Sequence, residues 1–296
     1  MGSMRAASDK LGVAVSSISR QIAQLENEVG LLLLERGRRT VKPTEAGDLA
    51  LDYYRKSVAE REAFDSKVRD LRGLRAGRVD IAMGEGFVTA GFSDMLTGFL
   101  NKHIGVQVVS ITAASSLELV RLVADDEVHC GLVLQTPTDP RVRIKASVPL
   151  PIVVLASPHH PIAARNRVML TDIAAHRVGL LPEGFLTRQA LAVAERAEGV
   201  WLRPAVTTNS LQLLKEMAKS GDCLTVLPLI AAIPELESGS LKAIPISTAA
   251  LENSTTCLIT RIGRQLPEPA LRLVSVIEAN LRKWGHIGQA ARAPDG

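Results

Sequence analysis

RAASDKLGVAVSSISRQIAQLENEVGLLLLERGRRTVKPTEAG, residues 5–47, is the stretch whose reading decides the fold. Residues 5–11 put Ala6, Ala7 and Leu11 on one side of a short helix. Gly12 then turns the chain, and Val13 fills the space beneath the turn. A second helix is expected over residues 16–29, because Ile18, Ile22, Leu25 and Val29 recur at helical steps and share one buried face. The other side of that helix carries Ser16, Ser17, Ser19, Arg20, Gln21 and Gln24. Hydroxyls at a helix start followed by Arg and Gln are the groups that bond phosphates and base edges in a major groove. A solvated polar face is the blander account of the same stripe.

The residues that follow favour the groove. Leu31–Glu35 suits a strand, Gly37-Arg38-Arg39-Thr40 is a basic turn, and Val41-Lys42-Pro43 leads back. A hairpin carrying Arg36, Arg38, Arg39 and Lys42 beside a polar helix makes a wing that lies along a phosphate backbone. Thr44-Glu45-Ala46-Gly47 opens a long helix: Thr44 is a good N-cap and Glu45 suits the positive end of the dipole. The pattern runs to Leu74, with Leu51, Tyr54, Val58, Val68 and Leu71 at steps of three and four, interrupted by Arg61 and Asp65. A helix with a single apolar stripe packs against another helix, so a dimer through this segment is expected, giving two recognition helices for two half-sites.

Charge agrees with this placement. Residues 1–42 hold seven basic side chains (Arg5, Lys10, Arg20, Arg36, Arg38, Arg39, Lys42) against four acids (Asp9, Glu26, Glu28, Glu35), most of the formal +4 of the 296-residue chain. Apolar residues make up 46% and charged residues 22%, as in a globular protein with real cores. No apolar run approaches a membrane span and no signal peptide is recognisable, so the expected location is the cytoplasm. Cys130, Cys223 and Cys257 are widely spaced among apolar residues and read as buried free thiols, with a redox switch the sharper alternative.

From residue 77 onward, short apolar runs alternate with amphipathic segments. Strands are expected at 77–83, 106–111, 130–134, 153–156, 178–181, 223–227 and 256–260. Helices are expected at 92–103, 116–125, 188–197, 211–219 and 269–284. That alternation implies parallel sheet covered by helices.

Arg5-Ala6-Ala7, Leu11-x-Val13, Ser19-Arg20-Gln21-Ile22, Leu25-Glu26, Gly30, Leu33, Glu35-Arg36 and Thr44-Glu45-Ala46-Gly47, in this order, resemble the N-terminal signature of LysR-type transcriptional regulators. The later spacing extends the resemblance over nearly the whole chain. It implies an α/β protein: a winged helix-turn-helix at 1–43, a linker and dimerisation helix at 44–75, and a two-lobed α/β effector domain at 76–296 like a type 2 periplasmic binding protein. Lobe I would comprise about 77–150 and 260–285 and lobe II about 151–259, with crossings near 149–153 and 255–259. Two departures stand out. Ala14-Val15 replaces the Ser-Gln pair that begins the family's recognition helix. The family also has a further helix ahead of the Gly2-Ser3-Met4-Arg5 stretch, so the winged domain is expected to be N-terminally truncated.

The resemblance further implies promoter DNA, a small-molecule effector, a homodimer or homotetramer and RNA polymerase as partners, with no cofactor, no catalytic or metal residue and no membrane association. The effector, expected to be a small organic acid or other anionic metabolite, would lie between the lobes near Gly86, Phe87, Thr89, Ser115, Ser116, Gln135, Thr136, Thr187, Arg188, Asn209 and Ser210. Ser115-Ser116 reads equally as a helix cap, and Arg188 as a carboxylate clamp or a solvated helix residue.

Two rivals are weaker. Gly84-x-Gly86 imitates a dinucleotide turn, but Thr89 stands where that motif needs its third glycine and no acid ends the second strand. There is no nucleophile elbow, and His159-His160 lacks the spaced partners of a metal site. A small-molecule-binding protein without competent DNA binding is the other rival; it would leave residues 4–74 without a purpose.

Overall fold

The computed structural model describes residues 3–35, 41–71, 76–88, 90–113, 115–134 and 136–290. The chain divides into two compact units, Met1–Glu62 and Ala63–Gly296.

In the first unit, Ser3 caps helix α1 (Met4–Leu11) by accepting the Ala6 amide at 3.1 Å. Gly12, in the left-handed conformation at φ 67°, ends it. Helix α2 (Val15–Val29) ends the same way at Gly30. Glu26 then reaches forward from α2, its Oε1 accepting the amides of Leu33 at 2.8 Å and Leu34 at 3.3 Å. The expected strand 31–35 reduces to a single antiparallel bridge between Leu34 and Pro43, flanked by bonds from Glu35 N–H to Lys42 O and from Thr44 N–H to Leu33 O. Proline has no amide to lengthen the ladder.

The buried face expected on α2 is only partly present. Ile18 is buried and Ile22 half-buried, but Leu25 and Val29 are 45% and 47% exposed. Helix α1 packs on α2 and has eight residues against fifteen, too short to cover its C-terminal half. Thr44 Oγ1 accepts the Gly47 amide at 3.1 Å and donates to Leu32 O at 2.6 Å, capping helix α3 (Glu45–Leu71). Gly47 is required there: a Cβ would lie 2.1 Å from the Leu33 carbonyl oxygen.

The second unit contains strands β1 (Ala76–Met83), β2 (Gly105–Thr112), β3 (Cys130–Leu134), β4 (Val142–Pro149), β5 (Ile152–Ala156), β6 (Val178–Leu180), β7 (Pro204–Thr207), β8 (Leu224–Pro228), β9 (Lys242–Pro245) and β10 (Thr255–Arg261). Its helices are α4 (Ala90–Lys102), α5 (Ser116–Ala124), α6 (Leu170–Ala174), α7 (Leu186–Glu198), α8 (Leu211–Lys219), α9 (Ile233–Glu237), α10 (Ala249–Glu252) and α11 (Glu268–Ala290).

Two five-stranded sheets result, ordered β2-β1-β3-β10-β4 and β7-β6-β8-β5-β9. Each has a parallel part, β2-β1-β3 and β7-β6-β8. Each also has one strand running the other way: β10 is antiparallel to β3 and β4, and β5 to β8 and β9. The expectation of parallel sheet is corrected on this point, and β4, β7 and β9 are strands that the sequence pattern does not announce.

The chain passes between the sheets at 150–151 and at 253–254, where the Leu150 amide donates to Ser254 O at 3.0 Å. All of β10 therefore belongs to the first sheet, whereas the expected boundary left 255–259 in the second lobe. Cores lie on both faces of each sheet. Val79, Ile81 and Met83 point into one cluster while Ala82 joins another, as strand alternation requires. Helix α5 lies tight on β3: a Cβ on Gly131 would meet Leu119 Cδ2 at 2.6 Å and Val123 Cγ2 at 2.9 Å.

All three cysteines are buried and free, and burial pushes the Cys130 thiol up to about 12. That suits inert packing groups. Among the described residues no helix is long and apolar enough to cross a membrane.

Candidate DNA-facing helix and effector cleft

Ser16, Ser19, Arg20, Gln21 and Gln24 stand exposed on α2, with Ser17 half-buried. Gln24 Nε2 donates to Glu28 Oε1 at 3.0 Å, one turn along the same face. Lys42 is exposed on the returning arm of the hairpin. Arg36, Arg38 and Arg39 lie outside the described residues.

The cleft of the second unit lies at the C-terminal ends of the parallel strands, where α/β sheets leave helix N-termini and loops facing a crevice. From the first lobe it is lined by the Gly84–Phe87 turn after β1, by Ala113, Ser115, Ser116 and Leu119, and by Leu132 and Leu134 of β3. From the second lobe come Leu181, Phe185, Leu186 and Thr187 at the start of α7, Leu211 of α8, and Pro228 and Ile230 after β8. The enclosed space open to water centres is about 70 Å³.

Of the residues expected here, Gly86, Phe87, Ser115, Ser116 and Thr187 line the cavity. Ser115 also caps α5, its Oγ accepting the Glu118 amide at 3.2 Å, and Ser116 Oγ donates to Leu134 O at 3.4 Å. Four others are not among the lining residues. Thr136 and Asn209 are exposed. Ser210 caps α8 by accepting the Leu213 amide at 3.2 Å. Arg188 turns away to Glu195, at 2.8 Å, which replaces the expected clamp with an internal ion pair. Thr89 and Gln135 lie outside the described residues. Sequence reasoning misses the apolar walls, although Leu132, Leu134 and Leu181 stand in or at the ends of apolar runs that read as strands.

His160 and His176 form an edge-on pair with ring centroids 4.7 Å apart. His160 Nδ1 accepts the Ile162 amide at 3.1 Å and caps the short turn at Pro161–Ala164. Among the described residues no group of three or more His, Cys, Asp or Glu side chains could hold a metal ion.

A helix pair with a hairpin, a long helix and a two-lobed α/β unit define a DNA-binding transcription regulator with a small-molecule-binding domain. The chain belongs to the LysR family: residues 1–48 match the bacterial regulatory helix-turn-helix of the lysR family and residues 72–282 the LysR substrate binding domain. It is similar to the RuBisCO operon transcriptional regulator of Allochromatium vinosum, 27% identical over 264 residues, covering 89% of this chain and 86% of that protein. The fold is similar to full-length OxyR from Pseudomonas aeruginosa, at TM-score 0.62 and 18% identity over 95% of this chain and 90% of that one. It is also similar to full-length CbnR in complex with target DNA, at TM-score 0.54 and 19% identity over 93% of both chains. The relatives are transcriptional regulators rather than enzymes, and membership of this family makes the chain an oligomeric regulator that binds promoter DNA and responds to a small-molecule effector.

Proposed function

We propose that α2 reads the operator through Ser16, Ser17, Ser19, Arg20, Gln21 and Gln24, while Lys42 and the Arg36, Arg38 and Arg39 turn hold phosphates. The observation that carries this reading is the division of α2: Ile18 is buried while Ser16, Arg20, Gln21 and Gln24 are exposed together. In the same reading residues 1–43 are the DNA-binding part, 44–75 the linker that pairs two chains, and 76–296 the effector part. The cleft holds a small organic acid, the assembly is a dimer or tetramer acting in the cytoplasm, and bound effector changes how the complex meets RNA polymerase. The free amides at the start of α7 support an acidic ligand. The test is a gel shift with a genomic fragment library, with and without small organic acids. One or more retarded fragments, with mobility or affinity altered by an acid, are expected; absence of any retarded fragment would overturn the DNA assignment.

A further inference from the structure

We infer that the cleft ligand is a small acid with an apolar body and one anionic head seated on Thr187 and the first turn of α7, and that acids with two or more charges are rejected. The inference rests on the cleft being the effector site.

The walls are carbon-rich. Among the described lining residues the polar side chains are Ser115, Ser116 and Thr187, and the two serines already bond within the chain. Thr187 is different. It is 6% exposed, it lines the cavity, and its hydroxyl has no hydrogen-bond partner among the described residues. Its helix also begins without a side-chain cap, since Phe185 occupies the N-cap. The amides of Leu186, Thr187 and Arg188 consequently meet no acceptor among the described residues. A buried hydroxyl beside uncapped amides at the positive end of a 13-residue helix is a place for one carboxylate.

A second anionic group would find no counter-charge. The adjacent cation, Arg188, is paired with Glu195, whose side chain is 2% exposed. Lys215, one turn beyond the lining Leu211, is paired with Glu235 at 2.8 Å and donates to Ala231 O at 3.1 Å. The residues flanking the lining stretches in sequence bring no positive charge: Thr89, Ala114 and Gln135 are neutral and Glu85 is acidic. Burying a doubly charged group against such walls strips its water without replacing it. Leu119, Leu132, Leu134 and Leu211 instead reward an alkyl or aryl body.

The experiment is isothermal titration of the full chain with benzoate, hexanoate, 3-phosphoglycerate and citrate. Benzoate or hexanoate is expected to saturate with a Kd below about 1 mM, with the two polyanions about ten-fold weaker or worse. Thr187→Val, which keeps the side chain's shape, is expected to weaken the monocarboxylate about ten-fold. The inference is overturned if a polyanion binds as tightly as the monocarboxylates, if neither monocarboxylate binds, or if Thr187→Val leaves affinity unchanged. Gly86→Phe separates this from the cleft reading itself. A Cβ there meets Ala231, Leu211 and Pro228 at an ordinary 3.9 Å, so the ring fills the cavity without backbone strain. Polyanion binding that Gly86→Phe abolishes would sink the inference and keep the cleft. Binding that survives Gly86→Phe, in a variant that melts like the parent, would sink both.

Discussion

Arg188 Nη1 lies 2.8 Å from Oε2 of Glu195, and the other oxygen of that carboxylate accepts the Leu202 amide at 2.9 Å. One buried acid thus fixes the first turn of α7 and the segment that follows the helix. Removing the arginine strands that acid in the core. Arg188→Ala is expected to destabilise the second unit by about 3–5 kcal/mol, the usual consequence of breaking a buried pair from one side. Urea denaturation followed by circular dichroism checks it; a loss well below 1 kcal/mol would mean the pair is solvated.

Gly47 tests the first unit. A methyl group at this position would stand 2.1 Å from the Leu33 carbonyl oxygen, and the obstacle is backbone rather than a side chain that could swing aside. Gly47→Ala is expected to exceed the ~1–3 kcal/mol of ordinary overpacking. Promoter binding should disappear in a gel shift while ligand binding in the cleft persists.

His160 carries a pH dependence. Burial, then the neighbouring His176, hold its pKa below the ordinary 6.5, with Asp222 acting the other way. Between the folded and unfolded values the unfolded chain binds more protons, so stability rises with pH across that window. The contribution is fully present above pH 6.5 and is lost as pH falls through the lower folded value. Protonation also puts a hydrogen where Nδ1 accepts the Ile162 amide. Melting temperatures measured from neutral pH downward should fall, and His160→Asn, which keeps an acceptor near Nδ1, should flatten that fall.

Contacts to DNA divide by kind. Lys42→Ala is expected to weaken binding evenly across sequences and to lower the slope of log affinity against log salt by about 1. Arg20→Ala or Gln21→Ala should relax sequence preference by about 1–3 kcal/mol at one position. Fluorescence anisotropy with parent and base-substituted promoter fragments, at several salt concentrations, reads both. A uniform loss for Gln21→Ala would remove it from base readout.

What could be read from the sequence was what short-range chemistry decides. Gly12, Gly30 and the Thr44 cap are local stop and start signals, and each sits where its side chain or φ angle requires. Strand β3 and helix α8 likewise follow from their own composition. The direction of β10 does not, because antiparallel pairing with β3 and β4 is set by where the chain has just been. The cleft divided in the same way. Strand ends pointed to Gly86, Ser115 and Thr187, but position alone did not tell a free hydroxyl from a capping one, as at Ser210. Arg188 and Glu195 are seven residues apart, two helical turns, a spacing that places both on one face and could have revealed the pair.

The two passages between the sheets have a mechanical consequence. Because Leu150 and Ser254 are hydrogen-bonded to each other, the connecting strands form one axle rather than two independent straps. Two rigid plates on one axle swing through a single angle and resist sliding or twisting. Whatever the shape of the molecule between them, its message leaves the cleft as one number, the degree of opening.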